Sequence, residues 1–64
     1  MKKTEKRKVA EVLRAYRAIN RLSQGEFGKL CDLTQMTVSL IENERFERVS
    51  LDTIKKVEEY VAHH

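Results

Sequence analysis

Residues Leu22 to Asn43, LSQGEFGKLCDLTQMTVSLIEN, read as two short helices joined by a tight turn. The first opens on Ser23, with Glu26 three residues on. At that spacing hydroxyl and carboxylate each satisfy the other's orphan backbone N–H. Leu22 before the cap and Phe27 after it form a hydrophobic staple. The second helix opens on Thr34, stapled by Leu33 and Val38, with Thr37 where a glutamate would complete the box. Between them Asp32 is the residue at which the chain turns, because aspartate tolerates left-handed backbone better than most side chains. The spacing predicts helices over Gln24–Cys31 and Gln35–Glu42, and a helix, a three- to four-residue turn and a helix make a helix-turn-helix unit.

Working outward, Val9, Val12, Leu13, Tyr16 and Ile19 follow the i, i+3, i+4, i+7 spacing of one apolar stripe. They predict a helix from about Thr4 to Ile19 with Asn20 as a left-handed stop. Arg7, Arg14 and Arg21 recur every seven residues on the other side. Residues 1–6 are expected to be a flexible basic arm and 62–64 a frayed end of a single domain spanning 1–64. Phe27, Leu30 and Cys31 should face inward from the second helix, and Gly28 marks where the two helices cross closely. On the third, Val38 and Ile41 point one way while Met36, Ser39, Leu40 and Asn43 cluster on the other. Glu44–Val49 is the one expected loop, after which Ser50 caps a last helix with Leu51, Ile54, Val57 and Val61 as its buried stripe.

A chain of 64 residues is one domain, near the lower limit for folding without staples. One cysteine allows no internal disulfide, and with only two histidines no structural zinc site is expected. The fold must rest on packing, which makes dimerisation a reasonable added source of stability. No proline, two glycines and 36% charged residues fit a helical protein. There is no long apolar run and no signal-peptide core, so the expected location is the cytoplasm, with no membrane contact. Residues 1–22 carry eight Lys or Arg against two Glu, whereas residues 23–64 carry five against eight acidic residues. That split suits either a polyanion such as nucleic acid or a solvated helix face. No catalytic set is visible: no Gly-rich phosphate loop, no Cys–His pairing at useful spacing. His63 and His64 adjoin at the end of the chain and fix no metal geometry. An enzyme, a cofactor and a small-molecule substrate are therefore not expected.

The spaced set Leu-Ser-Gln-x-x-Phe-Gly-x-x-x-Asp-Leu-Thr-Gln-x-Thr-Val-x-x-Ile-Glu-Asn resembles the helix-turn-helix of the phage repressor and Cro (XRE-like) family, over about Leu13 to Val61. The resemblance implies an all-α, compact four-helix, lambda-repressor-like bundle around a central helix-turn-helix. The family's usual fifth helix is lacking. It implies a sequence-specific regulator of transcription, repressor or Cro-like, that lays its third helix in the major groove of double-stranded DNA. Gln35, first in that helix, can pair bidentately with adenine N6 and N7, and Met36, Ser39 and Leu40 share its reading face. Gln24 stands where the family sets a glutamine against phosphate, and Asn43, Arg45 and Arg48 where its following loop grips the backbone. By the same resemblance Arg17 of the first helix pairs with Glu42 at the end of the third.

Two departures keep a second reading open. Met36 and Leu40 are an apolar pair one turn apart, suited to thymine methyls or equally to a groove on a protein partner such as an antitoxin's or anti-repressor's target. The loop Glu44–Arg48 is neutral, and Glu44 replaces the family's glycine, so positive charge for phosphates would have to come from an arm including Lys2 and Lys3. A homodimer is expected to pair through Phe46, Tyr60 and Val61; the alternative is a monomer.

Overall fold

The computed structural model describes residues 6–63, in which four α-helices follow one another: α1 (Lys6–Asn20), α2 (Gln24–Cys31), α3 (Gln35–Glu42) and α4 (Leu51–His63). A single turn of 3-10 helix, Phe46–Arg48, interrupts the segment expected to be loop, and no strand occurs among the described residues. Each helix sends two apolar side chains to one centre: Val9 and Leu13, Phe27 and Cys31, Val38 and Ile41, Ile54 and Val57. Those pairs sit three or four positions apart, the spacing that puts both on one helical face. Tyr16, Phe27 and Tyr60 close one end of the core as three mutually edge-on rings, centroids 5.7 to 5.9 Å apart. Such geometry sets positive ring edges against negative faces.

Several expectations are corrected. Val12 and Ile19 do not join the core; Ile19 is 79% exposed. Because α1 packs against both α3 and α4, its buried arc is turned toward Ala10, and Val12 and Ile19 fall beyond the edge of that arc. Leu30 and Leu51, about half exposed, are likewise outside. Leu51 opens α4 one turn before that helix crosses the core at Ile54. Phe46, Tyr60 and Val61 are half-buried and pack against the core. Lys6 already lies in α1, and α4 remains helical through Ala62 and His63. Thr4, Lys2 and Lys3 lie outside the described residues.

The helix ends share one device. After α1, α2 and α3 the chain reverses through a left-handed residue: Arg21 (φ 56°), Asp32 (φ 62°) and Glu44 (φ 60°). In each case the next amide reaches back five residues: Leu22 to the Arg17 carbonyl at 2.9 Å, Leu33 to Gly28 at 2.6 Å, Arg45 to Leu40 at 2.9 Å. This is the Schellman closure, which normally takes glycine at the left-handed position. Asn20, expected to be that residue, stays helical and donates its side-chain amide to the Tyr16 carbonyl, which passes the reversal to Arg21.

Candidate nucleic-acid interface

The start of α2 carries the full reciprocal cap: Glu26 N–H donates to Ser23 Oγ (3.0 Å) and Ser23 N–H to Glu26 Oε1 (2.8 Å). Thr34 caps α3 through Thr37 N–H at 3.1 Å, and the two hydroxyls pair at 3.0 Å in place of the missing carboxylate. With its inner residues Val38 and Ile41 wholly buried, α3 cannot roll without opening the core. With side chains an α-helix is about 10–12 Å across, the size a DNA major groove admits.

The turn before α3 passes so close to α2 that a Cβ on Gly28 would lie 2.6 Å from the Leu33 carbonyl oxygen. Glycine is therefore a steric requirement of this turn, beyond the helix crossing anticipated for it. A second glycine shapes the site from α2's first turn: a Cβ on Gly25 would be 3.5 Å from Gln35 Oε1. The Gln35 side chain thus leans over Gly25, an arrangement the sequence reading missed although a glycine in a helix's first turn is a signal in itself.

Glu42, the last residue of α3, is held by side chains of two other helices. Arg17 grips its carboxylate bidentately, Nε to Oε2 at 2.6 Å and an Nη to Oε1 at 2.9 Å, while its other Nη donates to the Leu22 carbonyl at 2.9 Å. Gln24 donates its amide to the same Oε1 at 3.0 Å, and Arg14 donates to the Glu42 backbone carbonyl. Burial by itself would raise the Glu42 carboxyl, but hydrogen bonds from Arg17 and Gln24 and the charges of Arg17 and Arg14 outweigh it and hold the group below the usual carboxylate range. The Glu42 hydrogen bond in turn raises Arg17 against its own desolvation. Glu42 is 8% exposed yet fully partnered. The contacts of Gln24 and Arg14 to it were not legible beforehand.

The outer side of α3 is open. Gln35 is exposed, Met36 is 69% exposed, and Ser39 and Leu40 are half-buried. Asn43 is exposed and turns back onto the helix, its Nδ2 donating to the Ser39 carbonyl (2.9 Å) and to Ser39 Oγ (3.2 Å). Arg45 and Arg48 are exposed on the segment that Phe46 anchors to the core. Glu44 is taken up by Arg7 in an exposed pair, 3.7 Å apart.

Nothing else gathers chemistry. Burial pushes the Cys31 thiol up despite the nearby Lys56, which favours the protonated form. Among the described residues no group of His, Cys, Asp and Glu could hold a metal ion, and no helix is long and apolar enough to cross a membrane.

A partly buried anchor of three side chains at one end of α3, with Gln35 and Met36 exposed on the helix's outer face, completes a helix-turn-helix unit. The chain belongs to the helix-turn-helix family, whose model matches residues 13–61. Comparison with curated proteins and with solved structures gives no match. Membership in this family supports a role as a DNA-binding regulator.

Proposed function

We propose that this domain is a small transcriptional regulator, of the repressor or Cro kind, that reads a specific duplex site with α3 in the major groove. The observation that carries it is the contrast across α3: Val38 and Ile41 have no exposure, while Gln35 and Met36 beside them stand in solvent. Gln35 reads adenine, Ser39 meets a base edge, and Met36 and Leu40 cover thymine methyls. Gln24, Arg45 and Arg48 contact phosphates and set the register, with Asn43 orienting Ser39. Lys2 and Lys3 add backbone charge from the arm. Two copies occupy half-sites about 34 Å apart. No metal or cofactor takes part, and the protein works in the cytoplasm.

The exposure of Met36 favours a second reading, in which the Met36/Leu40 face enters an apolar groove on a protein partner. Random-site selection from a duplex library separates the two. Enrichment of a palindrome supports the first reading. In that case Gln35→Ala costs about 1–3 kcal/mol and relaxes preference at one base pair. No enriched sequence, together with a protein partner lost on Met36→Lys, would establish the second.

A further inference from the structure

Three amide side chains lie on or against α3, and two of them are tied down. Gln24 donates to Glu42 Oε1 at 3.0 Å, and Asn43 donates to the Ser39 carbonyl and hydroxyl. Gln35 differs: it is exposed and makes no side-chain hydrogen bond among the described residues. Its resting place is a matter of shape. Gln35 Oε1 lies 3.5 Å from where a Cβ on Gly25 would stand, so the amide occupies the gap that a missing side chain leaves on α2. Gly25 belongs to the first turn of α2, whose leading N–H groups lack an intrahelical acceptor and carry partial positive charge. That end of a helix favours the oxygen of the amide over its NH2. Neither backbone nor crowding demands glycine at position 25. Its φ is not positive, and the other atom near that Cβ, Ser23 Oγ, is 3.9 Å away. Gln35 is what the bare position accommodates.

We propose that Gly25 is a positioning residue for Gln35, so that a branched side chain at position 25 alters base preference by displacing the Gln35 amide from α2. The inference rests on the DNA-binding reading and adds a determinant of specificity that lies on α2, outside the helix that enters the groove.

The test repeats the duplex selection with variants of the full chain. Valine carries two methyl groups on Cβ and keeps nearly one rotamer in a helix, so it has little freedom to turn both from Gln35. Gly25→Val is expected to cut discrimination at the base pair that Gln35→Ala relaxes by about 5- to 150-fold, the worth of one bidentate base contact. Preferences at other base pairs, and the slope of affinity against salt, stay as in the natural chain. Gly25→Thr, branched in the same way, should act alike, and helical circular dichroism verifies that each variant is folded. Gly25→Ala, whose Cβ meets Gln35 at ordinary contact distance, keeps the natural motif. A chain already carrying Gln35→Ala separates positioning from direct contact, because there Gly25→Val changes no base preference further. The natural motif retained in folded Gly25→Val and Gly25→Thr, or an equal change made in the Gln35→Ala background, overturns this role and leaves the DNA-binding reading standing. If the natural chain enriches no sequence, both fall together.

Discussion

Glu42 shows how one side chain serves both stability and register. It closes α3 and is bonded by Arg14, Arg17 and Gln24 from α1 and α2. Replacing it with alanine leaves a partly buried arginine unmatched. Breaking a fully buried pair costs about 3–5 kcal/mol. Arg17 keeps some contact with water, so Glu42→Ala is expected to lose about 2–4 kcal/mol after screening. For a domain this small, thermal melts should show a fall of more than about 8 °C. The pH dependence follows from the depressed Glu42 carboxyl. The unfolded chain takes up a proton more readily than the folded one, so the contribution of Glu42 is complete above the ordinary value near 4.3 and is lost as pH drops through the lower folded value. Urea titrations from pH 7 down to pH 3 should show that loss in the natural chain, and a flatter profile in Glu42→Gln. Parallel profiles would mean the carboxylate is not held below its usual range.

At the level of the helix, the two glycines of α2 differ in what surrounds them. Gly28 faces the Leu33 carbonyl at a distance no Cβ tolerates, and that carbonyl is backbone, so α2 and the turn must part to admit a methyl group. Gly28→Ala should destabilise by about 1–3 kcal/mol, even though alanine is the better helix former. The Cβ of an alanine at position 25 meets only ordinary contacts, so Gly25→Ala should stabilise by up to about 1 kcal/mol. Denaturant midpoints moving the same way in both variants would contradict this account. The three left-handed helix ends obey the same logic: Arg21, Asp32 and Glu44 each hold a reversal that glycine makes more easily.

For the whole molecule the margin is narrow. Nine buried apolar side chains, three from α1 and two from each other α-helix, make the core among the described residues, and Phe27 is the largest of them, ringed by Tyr16 and Tyr60. A domain of 64 residues is expected to be stable by only about 3–10 kcal/mol. Phe→Ala changes in cores cost about 3–5 kcal/mol, so Phe27→Ala should leave much of the population unfolded at 37 °C, visible as lost helical circular dichroism. A cooperative melt near the natural temperature in that variant would show that the core is shared differently. With every helix committed to one centre, the outer face of α3 keeps its shape only while the entire fold is intact.

The helix-turn-helix was legible because its signals are local. Ser23 with Glu26, Thr34 before an apolar spacing of four, and Asp32 at the turn act between residues a few positions apart, and α2 and α3 begin and end where these place them. The identity of the outer α3 residues followed from the same periodicity. Tertiary packing decided the rest. Val12 and Ile19 lie on the apolar arc of α1 in sequence, yet α1 leans on two neighbours at once, and that angle leaves them in solvent. Asn43 folds back on Ser39, Gln24 is drawn inward by Glu42, and Arg14 is drawn to the end of α3. Backbone capping is settled within one helical turn. The burial of a helix face, or the aim of a long polar side chain, depends on residues far along the chain whose positions no local pattern encodes.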